Sequence, residues 1–67
     1  MNTDIIKGNW KQLQGAAQKQ WGKLTDDQLE QVEGNREKLI GMVQENYGVV
    51  RDDAERQVEE WEKTNAA

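Results

Sequence analysis

Apolar residues recur at helical spacing in two long segments of the chain. Within each segment they follow one another at intervals of one, three or four residues, which places them on one side of a helix. The members are Trp10, Leu13, Ala17 and Trp21 in the first segment, and Leu39, Ile40, Val43 and Tyr47 in the second. Both segments are therefore predicted to be amphipathic helices that bury one stripe against a common core.

The two segments belong to an internal repeat. Residues 8–33 and 34–59 align without a gap and are identical at 11 of 26 positions. A repeat of this length encodes one supersecondary unit, which cannot bury its own apolar face. We predict an all-α fold of four helices, long–short then long–short, forming two helical hairpins crossed over a shared aromatic core. Residues 1–67 are expected to form a single domain, with 64–67 as a frayed tail.

The ends of the first helix are marked by small polar residues and glycine. Asn9 is suited to an N-cap whose side chain accepts a backbone hydrogen bond. Alternatively, the helix begins near Thr3 and brings Ile6 onto the same stripe. Gly22 is predicted to close the helix in a left-handed conformation.

The second helix carries the clearest start signal. Thr25 and Gln28 are spaced as a capping box, and Leu24 and Leu29 are spaced as a hydrophobic staple around it. Leu29 is expected to face the core together with Val32. Gly34 is predicted to end the helix.

The third and fourth helices repeat this order. Asn35 is predicted to cap the third helix and Gly48 to end it. The repeat places the cap of the fourth helix at Arg51, whereas a box starting at Asp52 would begin it one residue later. The predicted buried residues are Ala54, Val58 and Trp61, and the predicted outer pairs are Arg51–Glu55, Asp52–Arg56 and Glu59–Lys63.

Gly15 and Gly41 occupy equivalent positions in the middle of the long helices. Glycine costs about 0.5–1 kcal/mol there relative to alanine. Two explanations stay open: a close approach of helices at both positions, or residues retained from the duplication.

Composition limits the chemistry of the chain. Histidine, cysteine and serine are absent, so the common nucleophile–base pairs cannot be built. We therefore predict no enzymatic activity, no catalytic residue and no cofactor. The mean hydropathy is −1.10, and no apolar run approaches signal-peptide or membrane-span length. A soluble, cytoplasmic, monomeric protein without membrane insertion is expected.

Adjacent aspartates recur in both repeats at Asp26–Asp27 and Asp52–Asp53. Neighbouring helical residues point about 100° apart, so the two carboxylates of a pair diverge. We interpret them as acidic residues that stabilise the positive ends of helices, and predict no metal site.

The charge is distributed unevenly. Four lysines and one aspartate give residues 1–24 a charge of +3, while residues 25–67 carry −7. The candidate interaction surface consists of Lys7, Lys11, Lys19 and Lys23. A basic helix of this kind could contact an anionic partner such as RNA, a lipid surface or an acidic protein. The overall charge of −4 argues against nucleic acid, and a solvated outer face is the simpler interpretation.

Three segments of the chain resemble the CsbD-like family of small bacterial stress proteins. They are GNWKQLQG (8–15), WGKLTDDQL (21–29) and GNREKLIGMVQENYG (34–48). The resemblance implies a compact four-helix domain similar to SAM-like helical hairpins. It also implies a cytoplasmic protein made under general, osmotic or stationary-phase stress, similar to the hydrophilins and without established activity or binding residues. One departure is Ala16-Ala17-Gln18, where relatives tend to carry lysines, which makes a basic-surface function less expected here.

Overall fold

The computed structural model describes residues 8–65, which form four α-helices and no β-strand. The helices are α1 (Trp10–Gln20), α2 (Asp26–Val32), α3 (Arg36–Tyr47) and α4 (Arg51–Asn65). The predicted all-α class and the four helices are confirmed. The alternative helix start near Thr3 with Ile6, and the candidate residue Lys7, lie outside the described residues.

Each helix packs against the next one along the chain, and α1 also packs against α4. The helices enclose one apolar core to which all four contribute. Its buried members are Trp10, Leu13, Ala17, Trp21, Leu24, Leu29, Val32, Leu39, Ile40, Val43, Ala54, Val58 and Trp61. Both predicted stripes are in this core, except that Tyr47 is half-buried at its edge.

Three tryptophans meet where α1 and α4 pack. The Trp61 ring contacts Trp10 edge-on at a centroid distance of 6.4 Å and Trp21 at 5.4 Å. The Trp10 Nε1–H donates to the Leu29 carbonyl at 2.9 Å, and the Trp21 Nε1–H donates to Gln57 Oε1 at 3.0 Å. These indoles therefore tie α1 to α2 and α4 through directed bonds as well as through apolar contact.

Several helix ends confirm the predicted signals. The Thr25 hydroxyl accepts from the Gln28 amide at 3.1 Å, and Gln28 Oε1 accepts from the Thr25 amide at 3.0 Å, which completes the capping box. The Asn35 side chain accepts from the Lys38 amide at 3.2 Å. Gly48 takes φ +65° and closes α3. Side-chain spacing was sufficient here because each signal acts within three or four residues.

Other ends differ from the prediction. The C-cap of α1 is Trp21, with φ −124° and ψ 81°, and Gly22 does not adopt the left-handed conformation. The Trp21 indole is buried at this end of the helix, and the Trp21 carbonyl accepts from the Leu24 amide at 3.0 Å. Asn9 does occupy the N-cap of α1, but its side chain makes no capping hydrogen bond. The left-handed segment after α2 begins at Glu33, before Gly34.

The fourth helix begins earlier and ends later than the repeat predicts. Its first residue is Arg51, because the Val50 carbonyl already accepts from the Ala54 amide at 3.1 Å. It extends through Thr64 and Asn65, so the helix includes the first two residues of the segment 64–67 that the sequence predicts to fray. With 15 residues, α4 is the longest described helix, and the long–short, long–short order is wrong.

The mid-helix glycines do not mark close helix approaches. A Cβ built on either Gly15 or Gly41 would meet nothing within 4 Å. The close-approach explanation is therefore wrong, and the glycines are compatible with retention from the duplication.

Two of the three predicted outer pairs of α4 are formed. Arg51 contacts Glu55 at 2.6 Å, and Lys63 contacts Glu59 at 3.5 Å. Arg56 lies 3.9 Å from Asp53 instead of pairing with Asp52. The exposed face of α4 is thus linked mainly by residues one helical turn apart.

Candidate interaction surface

The described lysines of the candidate surface all reach solvent. Lys11 and Lys19 lie on α1, and Lys23 lies in the turn that follows it. No acidic residue occurs between Gly8 and Leu24. The segment is therefore a basic region in an acidic chain, as the sequence predicts, but its lysines have three different surroundings.

Lys11 faces acidic residues of the next helix. It lines a depression of about 430 Å³ together with Gln14, Gly15, Asp26 and Glu30. Two carboxylates in the same depression offset the lysine charge at this place. The Lys11 side of α1 is therefore a surface of mixed charge.

Lys23 is attached to α3 through Tyr47. The Lys23 backbone amide donates to Tyr47 Oη at 3.1 Å, and its Nζ lies 5.1 Å from the centroid of the tyrosine ring. The second distance allows a cation–π interaction. Lys23 thus fastens the α1–α2 turn to the C-terminal end of α3, which gives it a structural role.

Lys19 lies in a separate groove that we call the Lys19 groove. Its volume is about 590 Å³, and it runs between α1 and the C-terminal end of α4. Its lining residues are Gly15, Ala16, Lys19 and Gln20 of α1, with Trp61, Thr64 and Asn65 of α4. Lys19 is the one charged residue among the described lining residues, so this lining has a positive character that the Lys11 depression lacks.

The remaining charges of the long helices mainly hold α3 and α4 together. Arg36 Nε donates to both carboxylate oxygens of the buried Glu62, at 3.0 and 3.2 Å. Arg51 contacts Glu37 and Glu55, each at 2.6 Å. The side-chain hydrogen bond to Glu37, followed by that to Glu55, raises the pKa of Arg51 above its ordinary value.

The aspartate pairs lie where the sequence predicts them. Asp26 and Asp27 are in the first turn of α2, and Asp52 and Asp53 are in the first turn of α4. Within residues 8–65, no group of three or more acidic side chains is placed to hold a metal ion. The same part of the chain has no helix with the length and apolar character needed to cross a membrane.

The sequence identified the lysines but not their neighbours. Tyr47 was expected in the core and not beneath Lys23, and Trp61 was expected in the core but not beside Lys19. The Arg36–Glu62 bond joins residues 26 positions apart. No local spacing signals a contact at that separation, which depends on how α3 and α4 pack.

Comparison with known proteins places these features in a family. The CsbD-like family matches residues 4–56, which is more than half of the chain. A UPF0337 protein of Pectobacterium atrosepticum is 61% identical over 33 residues, covering 49% of this chain and 48% of the relative. UPF0337 proteins of Pseudomonas aeruginosa and Rhodopirellula baltica are 54% identical over 33 residues and 69% identical over 29 residues. These matches cover 49% and 43% of this chain, and 51% and 43% of the respective relatives.

The chain therefore spans about half the length of the curated relatives that it matches. The family match is broader and includes α1, α2 and α3 with the start of α4. On this match, the chain belongs to the CsbD-like family.

Proposed function

We propose that this chain is a non-enzymatic bacterial stress-response protein that acts through a hydrophilic folded surface, as hydrophilins do. Membership of the CsbD-like family supports the stress role, whether general, osmotic or stationary-phase. The observation that carries the proposal is that apolar side chains lie inside the fold while most charged side chains lie on its surface. In residues 8–65, Val50 is the one large hydrophobic residue that is exposed, while the core is confined to the interior.

Such a surface suits a protein that stays dispersed at high concentration. Contiguous exposed apolar patches promote association, whereas charged and mixed surfaces oppose it. Charged residues make up 33% of the chain, and most of those described are exposed. A dispersed, hydrated protein would occupy space between other macromolecules as water is withdrawn and would reduce their contacts.

Survival of a deletion strain tests this proposal. Cells lacking the gene should survive osmotic shock and drying less well than wild type, and a plasmid copy should restore survival. A Leu39→Asp copy is the matched control, because a charge at this fully buried position should unfold the domain while preserving almost all of its composition. Equal survival of the deletion strain and wild type would contradict the stress role. Full rescue by Leu39→Asp would contradict the need for a folded surface.

A second candidate is an interaction module that binds nucleic acid or a protein partner through the basic first helix. The acid-free segment with three exposed lysines supports it. This function predicts binding that weakens with salt and with Lys11→Glu and Lys19→Glu. Binding that changes with neither salt nor these substitutions would rule out this second function.

Three further expectations belong to the same proposal. The repeat leads us to expect two crossed hairpins within one domain, and the family resemblance implies that they are of the SAM-like kind. The composition leads us to expect a cytoplasmic monomer. Sedimentation of the purified protein over a range of concentrations tests the monomeric state.

A further inference from the structure

The Lys19 groove lies beside a buried hydrogen-bond donor that has no acceptor. Trp61 is 3% exposed, and its Nε1 is the buried side-chain polar atom without a hydrogen-bond partner in residues 8–65. The indoles of Trp10 and Trp21 both have acceptors, at 2.9 and 3.0 Å. A buried N–H without an acceptor retains its desolvation penalty, so it calls for an explanation. Trp61 is also one of the residues that line the groove, so a ligand bound there would lie beside this side chain.

The charge of the groove indicates what kind of acceptor fits. Lys19 forms no ion pair within the described part of the chain, although acidic residues outnumber basic ones overall. Among residues 8–65, none that lines the groove is acidic. The Lys11 depression on the same helix differs, because Asp26 and Glu30 line it. Of the two depressions on α1, the Lys19 groove is therefore the one in which an anion meets a cation without a carboxylate among the described lining residues.

We propose that the Lys19 groove binds a small carboxylate ligand. The Lys19 ammonium pairs with the carboxylate, and a ligand oxygen accepts from the Trp61 Nε1–H. A volume of about 590 Å³ has room for a molecule of amino-acid size, and Gln20 and Asn65 are polar residues of the lining. Because Nε1 is shielded from solvent in the free protein, the ligand reaches it through a local shift of the indole or of the groove wall.

Indole resonances in ¹H–¹⁵N NMR spectra test the proposal directly. The protein has three tryptophans, so three Nε1–H signals are expected, and Trp→Phe variants assign them. Sodium glutamate is the probe, glutaramide is a five-carbon amide analogue that has no carboxylate, and sodium chloride at equal ionic strength controls for screening. Glutamate should shift the Trp61 signal saturably and more than the signals of Trp10 and Trp21, whose acceptors are already in place.

Two lysine variants separate the groove from the rest of α1. Lys19→Gln should weaken glutamate binding about tenfold, because a charge-assisted hydrogen bond is lost. Lys11→Gln should leave binding unchanged, since it removes the same charge from the other depression. Both lysines are exposed, and equal thermal midpoints would show that folding is intact.

Several results would overturn the proposal. They are the absence of a saturable shift, an equal shift with glutaramide or sodium chloride, and equal weakening by Lys11→Gln and Lys19→Gln. Inorganic phosphate is the remaining probe. Tighter binding of phosphate than of glutamate would overturn the assignment of a carboxylate ligand.

Discussion

Equivalent residues of the repeat do not have equivalent surroundings. Trp21 is 1% exposed and donates to Gln57, whereas its counterpart Tyr47 is half-buried and accepts from Lys23. Leu24 is buried, whereas its counterpart Val50 is 66% exposed. Alignment of the two copies therefore predicts which positions are apolar, but packing of the helices decides which of these side chains are buried.

Substitution at one such pair should show this difference. Trp21→Ala should lower the free energy of unfolding by about 3–5 kcal/mol, since it empties a fully enclosed site. Tyr47→Ala should cost less, about 1–3 kcal/mol, because part of its ring already contacts solvent. Tyr47→Phe should cost about 0.5–1.5 kcal/mol through the lost bond to the Lys23 amide. Urea denaturation followed by circular dichroism measures all three, and equal losses for the two alanine variants would indicate a symmetric core.

The mid-helix glycines give a prediction of opposite sign. Gly15→Ala and Gly41→Ala should each raise the free energy of unfolding by about 0.5–1 kcal/mol, because both positions have room for a methyl group. Gly48→Ala is the control and should destabilise, since Gly48 holds φ +65°. Chemical denaturation of the three variants and the double Gly15/Gly41 variant checks the additivity of the gains. A loss at Gly15 or Gly41 would show that a helix does approach there.

Among whole elements, helix starts with side-chain caps were the most predictable features. Thr25 and Asn35 bond to amides three residues away, so their sequence spacing contains the needed information. The C-terminal caps at Trp21 and Glu33 were not predictable in this way, because neither residue is the glycine that a left-handed helix end usually indicates. The length of α4 was likewise missed, since its last turns are held by contacts with other helices.

The start of α4 lacks the side-chain cap that α2 has, and this can be repaired. Val50 provides the first helical carbonyl acceptor, the position where threonine or serine is favoured. Val50→Thr keeps nearly the same shape on an exposed residue and adds a hydroxyl acceptor. It should raise the free energy of unfolding by about 0.5–1 kcal/mol.

Thr25→Val is the reverse exchange at the start of α2. It removes a capping box that is present and should lower the free energy of unfolding by about 0.5–2 kcal/mol. Thermal and urea unfolding of both variants provide the measurement. A stability unchanged by Val50→Thr would mean that Val50 does not have the geometry of an N-cap.

At the scale of the whole molecule, the sequence predicts the helices and their buried residues better than it predicts which residues of different helices are in contact. It predicted the helices, most of the core and the basic character of α1. It did not predict that Lys11, Lys19 and Lys23 would be separated into a mixed-charge depression, a groove and a tyrosine contact. Each of these surroundings includes a residue from another helix, and helical spacing within α1 says nothing about residues across a packing interface.

The Arg36–Glu62 bond is the strongest test of how the two ends of the molecule are joined. It links the first turn of α3 to the C-terminal part of α4, and Glu62 is only 2% exposed. Arg36→Met should lower the free energy of unfolding by about 2–4 kcal/mol, because the Glu62 carboxylate then stays buried without a partner. Glu62→Gln should cost less, since an amide oxygen can still accept from Arg36 and the remaining arginine charge is one-quarter exposed.

A double-substitution cycle separates this bond from simple packing. Combining Arg36→Met with Glu62→Gln should recover part of the loss of Arg36→Met, because no buried charge is then left unpaired. Arg51→Met is the control, because Glu37 is exposed and Glu55 is partly exposed, so neither carboxylate is left buried without a partner. This substitution should change the free energy of unfolding by less than about 1 kcal/mol. If the losses of Arg36→Met and Glu62→Gln were strictly additive, the two side chains would not be coupled. The C-terminal turns of α4 would then be held by packing of the buried Val58 and Trp61 and not by this bond.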